Sequence, residues 1–219
     1  MSIKFTGVYG CVTMMFTDVN SCVTMFTGVH GYETMVFKGV YGCVAMMFTG
    51  VYGCVTMMFT GVYGRVTIMS TGVHGCVTIM LTGMCGYVTM KFTDVCSCVT
   101  MMFARVYGYE TMILMGVSAS VPVKFSGFYK CVTKLFTDVN SCVTKIFTGV
   151  YGLETKMLTG VYGYETMMFT GVYGCVTMMF TGVYCCVTMK FTGVYSCVAI
   201  MLTGLYGYET MMSTGFLAV

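Results

Sequence analysis

An eleven-residue unit repeats from Phe5 to the C-terminus, and this period constrains the fold more than any other feature of the chain. The consensus is Phe-Thr-Gly-Val-Tyr-Gly-Cys-Val-Thr-Met-Met, intact from Phe48 to Met58 and again from Phe169 to Met179. Units begin at Phe5, Phe16, Phe26, Phe37, Phe48, Phe59, Ser70, Leu81, Phe92 and Phe103, and continue at Leu114, Phe125, Phe136, Phe147, Leu158, Phe169, Phe180, Phe191, Leu202 and Ser213. The unit at Phe16 is one residue short, and the last is truncated. Residues 1–4 read as a short leader and residues 5–219 as one array of about twenty units, with no linker and therefore no internal domain boundary.

The variants carry a second message. Asp replaces the first glycine at Asp18, Asp94 and Asp138, and Glu replaces the second valine at Glu33, Glu110, Glu154, Glu165 and Glu209. Each Asp unit is followed at once by a Glu unit, as expected when blocks of units are copied together. Tyr becomes Asn20, His30 or Cys96, Cys becomes Arg65, Met becomes Lys91 and Phe becomes Ser70. These exchanges cross chemical classes, yet nearly all are reachable by one nucleotide change; Leu153 and Lys130 are the exceptions. A packed core accepts volume-conserving swaps far more readily than a buried charge. The pattern therefore favours expansion of a minisatellite-like DNA repeat with a 33-nucleotide period over selection on a protein site.

An eleven-residue period also suits a right-handed helical coil, but two glycines per unit and few charges oppose a helix. Val, Thr, Phe and Tyr favour strands, and Gly-Val-Tyr-Gly reads as a turn. Cys-Val-Thr-Met-Met-Phe-Thr then forms a seven-residue strand with Val, Met and Phe on one face and Cys, Thr, Met and Thr on the other. The expected class is all-β, built as an antiparallel meander or alternatively a parallel β-solenoid, if the chain orders at all. About twenty strands exceed what an open sheet usually sustains. The Glu variants fall on the apolar face, where Glu154 has Lys156 two residues along, whereas Lys134 and Lys145 have no such partner.

Composition excludes several function classes. Charged residues make up 9% of the chain and hydrophobic ones 57%, with Pro122 the single proline. The lysines are scattered and the net charge is +3, so no basic stripe exists and nucleic acid is not expected as a partner. Mean hydropathy is +0.84, but Thr, Gly and Tyr interrupt every apolar run. The longest, Cys197 to Leu202, falls far short of the roughly 20 residues a spanning helix needs. Membrane association is thus not supported by a clean span. The N-terminal residues offer no apolar signal region, so a secretory leader is not expected, and localisation stays unassigned.

The 14 cysteines recur mostly at the length of one unit or its multiples and form no Cys-x-x-Cys pair. Zinc sites need paired ligands at short spacing, and the two histidines, His30 and His74, simply occupy the tyrosine position. Disulfides in ladder form are conceivable if the array is a solenoid. Gly116-Val-Ser118-Ala-Ser120 lacks the last glycine of a nucleophile elbow. Asn20 and Asn140 are each followed by Ser-Cys and make no glycosylation sequon. The carboxylates are copies of two variant units, not a converging acid–base pair. The sequence assigns no catalytic, cofactor-binding or metal-ligating residue, no cofactor and no enzymatic activity. It points to a hydrophobic, low-complexity, aggregation-prone repeat chain that self-associates; the alternative is a structural or interaction β-repeat protein.

Overall fold

A computed structural model describes residues 2–96, 98–118 and 120–217. The chain runs through β1 (Ser2–Thr6), β2 (Tyr9–His74), β3 (Val77–Cys96), β4 (Val99–Ser118), β5 (Val121–Thr137), β6 (Asn140–Thr159), β7 (Tyr162–Leu205) and β8 (Glu209–Leu217). Every pairing between these elements is parallel, in sequential order. From β2 onward each residue pairs with its counterpart two units later, as in Val55 with Val77 and Val77 with Val99. Two units therefore make one coil, and about nine coils stack into a β-solenoid. The 66-residue β2 is extended backbone that turns corners through three coils.

Why the chain coils instead of folding back lies in Gly-Val-Tyr-Gly. In the unit at Phe48, Phe48, Val51, Val55 and Met57 are buried, while Thr49 and Tyr52 are exposed. Alternation along the strand brings Val55, Met57 and Phe59 inward, as the two-residue period requires. At the corner, Gly50 adopts φ 62° and Gly53 φ 148°, and the valine between them still points into the core. A hairpin would turn that segment out of the sheet and expose the valine; the corner keeps four apolar side chains per unit inside. At about 1.5–3 kcal/mol for each fully buried large apolar side chain, this selects the solenoid over the antiparallel meander, which does not form.

Two half-coils face each other across a thin core. Lys156 Nζ contacts Met167 Sδ at 2.9 Å, one unit on in the opposite half-coil. Coils meet like on like, so phenylalanines stack into ladders; the Phe103, Phe125, Phe147, Phe169 and Phe191 rings lie 4.8–5.0 Å apart and within 6° of parallel. Outside, Tyr129, Tyr151, Tyr173 and Tyr195 form a comparable ladder.

The three Asp variants gain a physical reason here. Asp18, Asp94 and Asp138 take φ 51–53° at the first corner, a left-handed conformation that Asp tolerates better than most L residues. Arg105, at φ 54° in the same position, has no such advantage.

The short unit at Phe16 shows how strictly the period governs the core. Missing one residue, it inverts its strand: Cys22 and Thr24 are fully buried and bonded to each other at 3.4 Å, while Val23 is 39% exposed. The first coil accordingly pairs one position short of two full units, Phe5 with Phe26. Inserting a methionine between Met25 and Phe26 should turn Val23 and Met25 inward and stabilise the array by about 2 kcal/mol. Native-state alkylation checks it, because Cys22 should pass from protected to reactive; a thiol that stays protected would refute the inversion.

Candidate functional site

The residues weighed on sequence for chemistry do not converge. His30 and His74 stand in the outer aromatic ladder, Tyr9–His30–Tyr52–His74, with ring centroids 4.9–5.1 Å apart. Ser118 and Asn20 are exposed on the outer face. Among the described residues, no group of three or more His, Cys, Asp or Glu is arranged to hold a metal ion. No helix among them is long and apolar enough to cross a membrane.

The concentration of ionisable chemistry lies instead inside the solenoid. Glu110, Lys134, Glu154 and Lys156 line one wall of the core, and Lys145 and Glu165 line the other, all essentially without solvent contact. Lys134 Nζ lies 3.6 Å from Glu154 Oε1, and Lys145 Nζ lies 3.5 Å from Glu165 Oε1. Lys156 reaches across the core to the same Glu165 oxygen. The ammonium groups also sit against rings: Lys134 is 3.8 Å and 4.1 Å from the Phe125 and Phe147 centroids, and Lys145 is 3.6 Å from that of Phe136. Cations over aromatic faces gain some of the stabilisation that water would give.

The compensation is incomplete. Both oxygens of Glu110, Oε1 of Glu154 and Oε2 of Glu165 lack hydrogen-bond partners, and Lys134 Nζ stands at ion-pair but not hydrogen-bond distance. Burial accordingly pushes Glu110 up to about 8, with Lys134 pulling the other way. Burial also pulls Lys134 down to about 8 and Lys145 down to about 7, and holds Lys156 well below the ordinary lysine value. Glu33, isolated near the N-terminal end with neither oxygen bonded, is raised to about 7 by burial.

Pairing along the strand, two residues apart, leaves Lys134 and Lys145 without partners. The coil supplies them, because a lysine at the tenth position of a unit meets a glutamate at the eighth position one coil later. The same offset, one full coil less two positions, links both Lys134 to Glu154 and Lys145 to Glu165. That signal is present in the sequence but requires the coil length to be known.

The cavities lie elsewhere. An apolar cavity of about 330 Å³ at the C-terminal end is lined by Phe191, Val198, Ile200, Met211 and Ser213. Ser213 pairs with Phe191 and replaces the consensus phenylalanine, so the space is that of a missing ring. None of the buried lysines or glutamates lines it. No protein family, curated protein or solved structure matches the chain.

Proposed function

We propose that this chain acts as a non-enzymatic β-scaffold that associates end to end with copies of itself. The observation that carries the reading is the apolar face and open ladder edge that the last described coil presents on a stack of parallel coils. Solenoids need polar terminal caps to stay apart. Here Leu202 and Met211, at positions buried in earlier coils, are 40% and 51% exposed in the last one. Val187 N–H donates to the Tyr208 carbonyl one coil later, and Glu209, its register partner, aims the same donor out of the C-terminal end. Such an open edge is a template for another strand, and β1 of a second copy offers Ile3 and Phe5 in the same inward phase as Met211 and Ser213. No nucleic-acid partner and no cofactor belong to this reading.

The recombinant chain is expected to sediment as β-rich material with a strong cross-strand infrared signal. Glu209→Pro combined with Met211→Pro removes outward donors at one end without touching an internal coil, and should shift material from the pellet to short soluble oligomers. A wild-type chain that stays monomeric and melts cooperatively would overturn the proposal.

A second reading concerns origin. The six buried ionisable groups of the central coils are drift-like substitutions in a core, and they support an array produced by tandem DNA expansion with no separately selected activity. Synonymous changes outnumbering non-synonymous ones between genomic copies would contradict it.

A further inference from the structure

The regular one-unit spacing of the cysteines argues against a metal or disulfide framework on sequence alone. The coil length reverses the meaning of that spacing, because two units make one coil. Cys54, Cys76 and Cys98 recur at every second unit and therefore lie one above another in three successive coils. The backbone fixes the column: Val55 N–H donates to the Cys76 carbonyl at 2.8 Å, and Val77 N–H donates to the Cys98 carbonyl at 2.9 Å. The valines that follow each cysteine are in register, Val55 with Val77 and Val77 with Val99. All three side chains belong to the outer face, with Cys76 and Cys98 exposed and Cys54 half-buried. The Cys76 thiol lies between those of Cys54 and Cys98, close enough to feel both.

Neighbouring strands lie about 4.8 Å apart, inside the roughly 4.4–6.8 Å between Cα atoms that a disulfide spans. Cys76 falls between β2 and β3, and Cys98 between β3 and β4. No comparable triple exists elsewhere in the sequence; Cys175 and Cys197 are the other cysteines spaced by one full coil.

We propose that Cys54, Cys76 and Cys98 form an exchangeable inter-coil disulfide, made by reaction with a small-molecule disulfide such as oxidised glutathione. The Cys54 thiolate attacks one glutathione sulfur, forming a mixed disulfide and releasing one glutathione thiolate. The Cys76 thiolate then attacks Cys54 Sγ, forming the protein disulfide and releasing the second glutathione. Two protein thiols are oxidised and one glutathione disulfide is reduced to two thiols. The third cysteine makes the bond mobile. Cys98 thiolate attacks Cys76 Sγ from the side opposite Cys54, the in-line approach that exchange requires, and expels Cys54 thiolate with no net change in oxidation. Partial desolvation within the thiol column, reinforced by the two flanking thiols, raises the Cys76 pKa, so closure speeds up as pH rises.

Trypsin separates the three cysteines, since it cleaves after Lys38, Arg65, Lys91 and Arg105. The full chain, soluble or sedimented, is treated with oxidised glutathione, alkylated, digested and mapped by mass spectrometry. Peptide 39–65 should be linked to 66–91, and 66–91 to 92–105, with fragmentation placing the bonds at Cys54–Cys76 and Cys76–Cys98. C54S should retain the second link and C98S the first, whereas C76S should lose both. The same chain oxidised in guanidinium supplies the random pairing pattern. Native material that matches that random pattern, that yields mainly Cys54–Cys98, or that leaves all three thiols alkylatable would overturn the proposal. Because C54S and C98S each keep one native pair, a folding defect in C76S does not decide the outcome.

Discussion

Stability of the solenoid should pass through a minimum between about pH 7 and pH 8, where most proteins are near their maximum. The sign follows from two opposed sets of groups. Glu110 and Glu33 have folded pKa values of about 8 and about 7, above the ordinary 4.5. Between those limits the unfolded chain releases protons that the folded chain retains, so stability falls as pH rises. Lys134 and Lys145 have folded values of about 8 and about 7, below the ordinary 10.5. Above them the unfolded chain holds protons that the folded chain has lost, so stability recovers towards pH 10.5. The carboxylate contribution is thus whole below pH 4.5 and gone above about 8; the lysine contribution is whole above 10.5 and gone below about 7.

For Glu110, wholly buried and displaced from 4.5 to about 8, the acid limb is worth about 5 kcal/mol as an upper estimate. Attraction from Lys134 already offsets part of the burial. Glu110→Val restores the consensus residue, fills the space with apolar atoms and leaves the Lys134–Glu154 pair intact. It should stabilise the array by about 2–4 kcal/mol at pH 8, and far less at pH 4, where the carboxyl is neutral in both states. Guanidinium midpoints by circular dichroism across this range check both statements. A profile that rises steadily from pH 4 to pH 7 would refute the buried placement of the glutamates.

The sequence made the strand and its faces legible because a two-residue alternation survives in nearly every unit. Val55, Met57 and Phe59 are buried as that alternation requires, and Glu33, Glu110, Glu154 and Glu165 fall on the same face. The coil length was not legible. An eleven-residue unit is compatible with one, two or three units per turn, and local propensity says nothing about which closes the core. The ion pairs of Lys134 and Lys145 and the thiol column at Cys76 join groups remote in sequence, which become neighbours once two units per coil is known. The inverted strand at Cys22 is the converse case, a local deletion whose effect is visible only because every neighbouring coil keeps the period.

The two glycines of the consensus unit look equivalent in sequence, and the stacking of coils separates them. Gly61 has φ 63°, and a Cβ built there would meet nothing closer than Gly39 N at 3.9 Å. Gly64, at the second corner position of the same unit, has φ 147°, and its Cβ would fall 1.9 Å from the Gly42 carbonyl oxygen and 2.7 Å from the carbonyl carbon. The first glycine is needed for a dihedral angle alone, and the array already places Asp there three times. Seven units carry another residue at the second position, namely Ser21, Ser97, Ala119, Lys130, Ser141, Cys185 and Ser196, so the requirement is local: at Gly64 the φ of 147° lays one backbone directly upon the next. Gly61→Asp should therefore cost about 1 kcal/mol or less, the residual left-handed penalty for a tolerant residue. Gly64→Ala adds the smallest side chain yet combines backbone strain of about 1–3 kcal/mol with overpacking of similar size. The expected loss is about 3–5 kcal/mol, delivered at the interface between two coils. Local opening should follow, so amide exchange should quicken around Gly42 and Gly64 while remote coils stay protected. Equal costs for the two variants would mean that the coils do not stack at the second corner, and the two-unit register would have to be abandoned there.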